Sequence, residues 1–276
     1  MLVHQVAGLI FANTDVLILS LFAGLREVSV YSLYALVFGM VKTVSDQFGD
    51  SYLYALGQTY HTDRARFLRM FDAYEAFSLS LTFGLFCVCR RLILPFLQLY
   101  TAGITDIRYA DPLLSWLFTA YYLLHVGRVP AANVISNAQR FEDTKKRAVL
   151  ESCINLTVSL AGAALFGIYG VLLGTIAALL YRANDMVLYT ARLLDRSAWI
   201  TYRRWLVNIA VFLMVSLLLD RLLISIADYA AFLKHAILLC LTVIPAFLAV
   251  SALAEPDAAR FACRAVQSMF RHPHAK

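Results

Sequence analysis

Charged residues are scarce in this sequence of 276 residues: they make up 15% of it, whereas hydrophobic residues make up 61%. A water-soluble domain typically carries about 25% charged and about 45–50% apolar residues. The mean hydropathy of +0.69 points in the same direction. This composition excludes a soluble domain or a soluble enzyme, and it predicts an all-α integral membrane protein, a polytopic bundle of hydrophobic helices.

Recognisable catalytic motifs are also lacking. The sequence contains no Walker-type phosphate loop, no HExxH, no GxSxG and no pair of aspartates in a sizeable loop. Its N-terminus shows neither the basic segment nor the cleavage motif of a signal peptide. The five cysteines have no neighbours that would complete a metal site; they are Cys87, Cys89, Cys153, Cys240 and Cys263. We therefore expect no catalytic residues, no metal, no disulfide and no cofactor.

Eight apolar segments are long enough to cross a membrane, since a spanning helix needs about 20 mostly apolar residues. The segments are residues 3–24, 28–57, 74–97, 112–136, 148–166, 168–189, 205–224 and 229–254. Very short junctions at residues 25–27 and at Gly167 predict helical hairpins. Arg90, Arg91 and Pro95 interrupt the third segment, which predicts either an irregular span or a separate interfacial piece at its end.

The sequence divides into a transmembrane bundle, residues 1–254, and a basic tail, residues 255–276. The tail carries Phe261, Ala265 and Met269 at helical spacing among arginines. A segment of this kind is either an amphipathic helix on the inner leaflet or a solvated tail.

Lysine and arginine in the connections predict the orientation, because they are enriched on the cytoplasmic side of a membrane. One set of connections, with the tail, holds fifteen of them, whereas the alternate set holds only Arg26, Arg108 and Arg221. This asymmetry predicts a multi-pass membrane protein with both termini in the cytoplasm. It also accounts for the net charge of +6 without a nucleic-acid partner. The fifteen are Arg64, Arg66, Arg69, Arg140, Lys145, Lys146, Arg147, Arg192, Arg196, Arg203, Arg204, Arg260, Arg264, Arg271 and Lys276.

Ionisable residues inside the predicted spans are candidate cavity residues, because a charge there is costly and faces a cavity or another charge. Asp15 lies deep in the first span. Lys42, Asp46 and Asp50 recur every four residues in the second span and therefore share one helical stripe. Either these groups make structural hydrogen bonds and ion pairs, with Lys42 pairing with Asp46, or they line a hydrophilic cavity.

The fourth, fifth and sixth spans contribute the other candidates. His125 and Arg128 share a helical face beside Pro130, which should kink the helix. Because the guanidinium fork suits phosphate, Arg128 is either part of an anion site or one half of a structural pair between helices. Snorkelling toward the inner surface is the simpler interpretation of Arg182. The remaining candidates in these spans are Glu151, Asn155, Arg182 and Asp185.

Short motifs along nearly the whole chain resemble one family of transporters, the polysaccharide biosynthesis (O-antigen flippase-like) branch of the multidrug/oligosaccharidyl-lipid/polysaccharide exporter superfamily. Thr-Asp before the apolar run at 16–20, and Val-x-x-Tyr-Ser-x-Tyr at 28–34, are similar to its seventh and eighth helices. Arg-Val-Pro at 128–130 resembles the Arg-x-Pro of its tenth helix. The segments at 151–155, 167–170 and 174–175 resemble its eleventh and twelfth helices, whereas Gln139 stands where glycine is common.

This resemblance implies transport of lipid-linked oligosaccharide from the inner to the outer leaflet by alternating access. It implies that Arg128 meets the anionic diphosphate of the lipid and that Asp15 helps to bind substrate or a coupling H⁺ or Na⁺. The family has two lobes with substrate bound between them, and this chain matches only the C-terminal lobe. We therefore expect, besides membrane lipid, a missing N-terminal lobe in the same gene or in a partner subunit, or else dimerisation of this chain.

Three other functions are compatible with a membrane bundle. A cation-coupled multidrug or toxic-compound exporter of the same superfamily would share the fold and the Asp15 position, although basic residues inside the spans favour an anionic substrate. A membrane-embedded polysaccharide polymerase or glycosyltransferase would need a sizeable outer loop, and the predicted outer loops are short. A purely structural scaffold would not need charged stripes inside its spans.

Overall fold

The computed structural model describes residues 14–222, 226 and 228–271, and every regular element in this part of the chain is an α-helix. Side chains are described except at 50, 51, 54, 141 and 265–271. The first helix, α1, covers residues 14–22 of the described part. The following helices are α2 (Leu25–Thr62), α3 (Arg64–Tyr100), α4 (Pro112–Gly127), α5 (Val129–Asn137), α6 (Phe141–Phe166), α7 (Ile168–Leu194), α8 (Trp199–Arg221), α9 (Tyr229–Ala254) and α10 (Pro256–Arg271).

Six helices of the described part, namely α2, α3, α6, α7, α8 and α9, are long and apolar enough to cross a membrane. The chain is therefore an all-α membrane bundle, as its composition predicts. Half of the predicted first span, residues 3–13, lies outside the described residues. The predicted fourth span is divided into α4 and α5, which are 16 and 9 residues long and meet at Arg128.

Helix α3 continues without interruption to its end, although Arg90, Arg91 and Pro95 predicted an irregular stretch there. Arg90 donates a hydrogen bond to Asp220 Oδ1 at 2.8 Å, and Arg91 donates to the carbonyl oxygen of Leu222 at 2.7 Å. Because α8 and the residue that follows it provide acceptors for both guanidinium groups, the charges do not force the chain out of its helix. The prediction of an interrupted third span was wrong.

The turns between the helices alternate between two ends of the bundle. Arg64, at the start of α3, donates to the carbonyl oxygen of Leu193 near the end of α7 at 3.0 Å, so these two turns lie side by side. Arg140 pairs with Asp143, which also accepts a hydrogen bond from Tyr189 of α7 at 2.7 Å. The arginine-rich connections therefore lie together at one end of the bundle, called here the basic end.

The main core lies where α2, α3 and α4 meet, and aromatic rings form much of it. Phe38 contacts Phe86, Phe118 and Tyr122 with ring centroids 6.1, 5.8 and 5.5 Å apart. Aromatic pairs at such distances are attractive beyond the area that they bury. Inside a bilayer, where the surrounding lipid is as apolar as the side chains, this close packing is what holds helices together.

A second and smaller hydrophobic cluster lies at the basic end. It joins the last turns of α2 to the first turns of α3 and to the ends of α5 and α7. Its rings are packed closely, since Phe67 lies 6.1 Å from Phe71 and 5.0 Å from Tyr60 between ring centroids. The buried members of this cluster are Leu56, Phe67, Phe71, Tyr74, Val134 and Leu194.

Helices α6 and α7 form the predicted hairpin around Gly167, whose φ of 56° is a left-handed conformation that favours glycine. Close to this turn, the backbones of Gly162 and Gly170 touch, and Ser159 packs against Gly174. A Cβ atom on any of the three helical glycines would overlap backbone atoms of the other helix. The small residues therefore allow direct backbone contact between the two helices.

Gly170→Ala is expected to destabilise the folded protein by about 2 kcal/mol, because the added Cβ overlaps the Gly162 backbone and pushes α6 away from α7. Gly39→Ala is a matched control, since its Cβ would meet only Tyr122 Oη at 3.6 Å. That variant should be neutral or slightly stabilised, because alanine favours a helix more than glycine does. Thermal unfolding followed by circular dichroism in detergent compares the two, and equal midpoints would refute the close contact.

Six charged residues at the basic end form a second kind of tertiary contact. Arg204 is buried and donates to Glu75, to Asp72 Oδ1 at 3.1 Å and to Glu255 Oε2 at 2.5 Å. Arg196, in the turn between α7 and α8, donates to Asp72 at 2.6 Å and to Glu75 at 2.7 Å. We call this set the α3–α8 network; its members are Asp72, Glu75, Arg196, Arg203, Arg204 and Glu255.

Glu255 connects the tail to the α3–α8 network. It lies between α9 and α10, and its Oε1 accepts hydrogen bonds from Arg203 and Arg204, both at 2.9 Å. Burial alone would raise the pKa of the Glu255 carboxyl, but the hydrogen bonds and charges of Arg204 and Arg203 outweigh burial and lower the pKa. Glu255 therefore stays ionised and fixes the start of α10, the helical part of the predicted basic tail.

Candidate functional site

Four of the predicted cavity residues meet in one network that centres on α6 and α7. Arg128 Nη1 lies 2.5 Å from Glu151 Oε1, and Arg182 Nε lies 3.4 Å from Glu151 Oε2. Arg182 Nη1 lies 2.9 Å from Asp185 Oδ2, and Arg147 Nη1 lies 3.0 Å from Asp185 Oδ1. Three arginines against two carboxylates leave an excess of one positive charge. We call these five residues the α6–α7 network.

This network is buried among helices that are apolar enough to cross a membrane. The side chains of Arg182, Glu151 and Arg128 are 6%, 10% and 17% exposed. Arg182 lies about 21 Å along α7 at 1.5 Å per residue, near the middle of a helix that is long and apolar enough to cross a membrane. The snorkelling interpretation of Arg182 was therefore wrong: carboxylates of α6 and α7 neutralise the guanidinium where it lies.

Helical periodicity explains why these side chains converge. Arg147, Glu151 and Asn155 are four residues apart on α6 and therefore share one face. Arg182 and Asp185 are three residues apart on α7 and share a face as well. The glycine contact near the hairpin turn holds the two helices in register, so that the two polar faces oppose each other.

The break between α4 and α5 delivers Arg128 to this network. Pro130 has no backbone N–H, and its ring conflicts with the carbonyl group four residues earlier, so a continuous helix is disfavoured here. Helix α4 ends at Gly127, which lies against the Trp205 ring with no room for a Cβ atom. The predicted kink therefore lies at Arg128, which keeps right-handed helical angles (φ −80°, ψ −12°), and its side chain extends toward Glu151.

A second polar cluster continues the stripe away from the basic end. Asp15 is buried, and its Oδ2 accepts hydrogen bonds from Tyr31 Oη at 2.8 Å and from Thr175 Oγ1 at 3.0 Å. Asn155 Nδ2 donates to Thr175 Oγ1 at 3.0 Å. Because Asn155 lies one helical turn from Glu151, polar groups extend from Asp15 to the α6–α7 network. Within the described part of the chain, no basic side chain pairs with Asp15.

The charged stripe of α2 stays apart from these contacts. Lys42 Nζ and Asp46 Oδ2 are 2.5 Å apart, which confirms the predicted pair, and both side chains are about one-third exposed. His125 lies beside Tyr121 of the same helix, with ring centroids 6.0 Å apart. The side chain of Asp50 lies outside the described residues.

Sequence reasoning missed three members of these polar clusters. Arg147 was assigned only to a cytoplasmic connection, although its position four residues before Glu151 could have indicated a shared face. Thr175 and Tyr31 were named only as parts of motifs in the family resemblance. Neither carries a charge, so neither was selected as a candidate cavity residue within a span. A search for charged residues does not find hydroxyl groups, which are common in apolar helices. Only the fold shows that the hydroxyl groups of Tyr31 and Thr175 contact Asp15.

The α6–α7 network is suited to anions, because paired guanidinium groups bind phosphate and carboxylate through forked hydrogen bonds. Among the described residues, no group of three or more histidine, cysteine, aspartate or glutamate side chains could hold a metal ion. Comparison with known proteins finds no matching family model, no matching curated protein and no matching solved structure.

Proposed function

We propose that this chain is one lobe of a transporter that moves lipid-linked oligosaccharide from the inner to the outer leaflet of the plasma membrane by alternating access. The observation that carries the proposal is the convergence of Arg128 and Arg182 on one carboxylate inside the helical bundle. The anionic diphosphate that joins lipid to sugar is a natural ligand for two such arginines. In this function the protein binds and releases its substrate without catalysing a reaction.

The chemistry of the α6–α7 network supports an anionic amphiphile as the substrate. Charges within membrane helices are expensive and usually belong to a substrate pathway. Here the excess charge is positive, and the arginines lie among apolar helices, a setting that suits a molecule with both an anionic group and a hydrophobic part. A lipid with a diphosphate headgroup meets both conditions.

The proposal also includes the complete topology. The transporter has eight spans in this lobe, with the basic end and both termini in the cytoplasm, and it resembles the C-terminal lobe of the polysaccharide (O-antigen) flippases. The second lobe is supplied by the same gene or by a partner subunit. An immunoblot of the native protein with a tag after Lys276 distinguishes these sources by its size.

Asp15 favours a second candidate function, a cation-coupled exporter of drugs or toxic compounds. Its carboxylate is buried, accepts hydrogen bonds from two hydroxyl groups and has no basic partner among the described residues. Such a carboxylate can take up a proton, Na⁺ or a cationic substrate. In the main proposal, Asp15 serves the coupling ion instead.

Deletion of the gene in its native host tests the two candidates. Loss of transport should leave the lipid-linked oligosaccharide on the inner leaflet. Mass spectrometry should then show that it accumulates, and a glycosidase added outside the cell should fail to cleave it. Reintroduction of the gene should restore export. Unchanged glycan export, together with impaired efflux of a cationic dye, would reject the main proposal in favour of the second.

A further inference from the structure

The carboxylate of Glu151 occupies a position between two guanidinium groups. Its Oε1 lies 2.5 Å from Arg128 Nη1, and its Oε2 lies 3.4 Å from Arg182 Nε. The two arginines therefore approach different oxygens of the same anionic group. A phosphate presents its oxygens in a similar way, so a side chain of this protein fills a place that suits a phosphate.

Glu151 satisfies the two arginines unequally. The 2.5 Å contact with Arg128 is a short charge-assisted hydrogen bond, whereas the 3.4 Å contact with Arg182 is longer than such bonds are. Arg182 Nε is buried and donates no hydrogen bond within the described part of the chain. A buried donor without an acceptor is unfavourable. One carboxylate is too small to serve both guanidinium groups fully, and a tetrahedral phosphate offers more acceptors.

Arg182 and Arg147 would each keep an acidic partner if Glu151 moved away, and Arg128 would be left for the phosphate. Asp185 holds Arg182 at 2.9 Å and would keep its guanidinium in place. Arg147 lies one turn before Glu151 on the same face of α6 and is 34% exposed. The released carboxylate could therefore pair with Arg147, since side chains four residues apart on a helix are neighbours.

We propose that Glu151 is a displaceable counter-ion, which neutralises Arg128 and Arg182 in the empty transporter and yields its place to the substrate phosphate. This inference rests on the proposed function and adds two features to it: Arg182 as the second phosphate-binding arginine, and an internal competitor that limits affinity. Competition of this kind favours release, because Glu151 returns to the arginines as the phosphate leaves.

Farnesyl diphosphate binding to the purified chain in detergent tests the exchange, with titration calorimetry as the measurement. Glu151→Gln removes the competing charge and should tighten binding about tenfold, or about 1.4 kcal/mol. Arg182→Gln should weaken binding about tenfold or more. Glu142→Gln is the matched control: it removes the same charge from α6, but at a side chain that is 83% exposed, and it should bind like the wild type. Farnesol, which lacks the diphosphate, should bind all four proteins equally.

The outcomes separate this inference from the function on which it rests. Wild-type or weaker binding by folded Glu151→Gln, alongside clear binding by the wild type, would refute the counter-ion and leave the transport proposal intact. Failure of every protein to distinguish farnesyl diphosphate from farnesol would refute diphosphate binding by this lobe and the counter-ion with it, whereas the transport proposal is decided by glycan export in the native host. If Glu151→Gln does not fold, Glu151→Asp is the deciding variant. Its shorter side chain reaches the arginines less well, so it should bind farnesyl diphosphate about threefold more tightly than the wild type. Unchanged affinity would refute the exchange.

Discussion

Alanine at Arg128 is expected to lower export of lipid-linked oligosaccharide by about 100-fold or more, equivalent to about 2.7 kcal/mol, without preventing membrane insertion. The substitution removes the guanidinium that makes the short contact with Glu151 and leaves Arg182 to meet the substrate alone. Lysine at the same position keeps the charge but loses the fork, so it should restore only part of the activity. Export is measured as surface glycan in the native host, with the complete transporter present.

Arg140→Ala is the control for this experiment. Arg140 is 59% exposed, pairs with Asp143 at 3.4 Å and lies outside the α6–α7 network. Its replacement by alanine therefore removes the same charge as Arg128→Ala without changing the site. Exposed pairs of this kind contribute little to stability. Export at the wild-type rate by Arg128→Ala, with equal amounts of protein in the membrane, would remove Arg128 from the transport mechanism.

Replacement of Arg204 by alanine should reduce the free energy of unfolding by about 3–5 kcal/mol, the largest loss of stability that we expect from one side chain. Arg204 is 5% exposed and donates to three carboxylates, those of Asp72, Glu75 and Glu255. Its loss leaves three acidic groups to share the remaining arginines. Thermal unfolding in detergent, monitored by the helical signal, should show the midpoint falling by several degrees.

Arg260→Ala provides the comparison for Arg204, since Arg260 is 70% exposed and pairs only with Asp257 of its own helix among the described residues. Its midpoint should match that of the wild type. If Arg204→Ala unfolded at the same temperature as Arg260→Ala, the α3–α8 network would contribute nothing to stability, and the attachment of α10 would need another explanation.

Local patterns were sufficient to predict several features of this bundle. The composition predicted helices in a membrane, the glycine at 167 predicted the tight hairpin, and Pro130 predicted the irregular fourth span. The pair of Lys42 and Asp46 followed from a spacing of four residues. Each of these features depends on residues close together in the sequence, where helical geometry alone determines which side chains meet.

Contacts between distant helices could not be predicted in the same way. Arg196 and Arg204 counted only as topology signals, because their partners Asp72 and Glu75 lie far away in the sequence. Arg182 was taken to snorkel, since nothing in the sequence places Glu151 beside it. The choice between a solvated and a buried charge depends on tertiary packing, and a single sequence does not specify which helices become neighbours.

The length of α2 implies that the two hydrophobic clusters of this fold face different solvents. Helix α2 has 38 residues and is about 57 Å long, nearly twice the thickness of about 30 Å of a hydrocarbon core, so its last turns extend beyond the bilayer. The apolar part of α2 that could cross a membrane ends at Gly49, so we expect the small cluster around Phe67 and Phe71 to lie on the water side of the bilayer and the aromatic core between α2, α3 and α4 to lie within it. Urea weakens apolar packing that water surrounds and should therefore loosen the small cluster first. Unfolding would then proceed in two stages. Most of the increase in heat capacity should accompany the first stage, in which the small cluster becomes exposed to water.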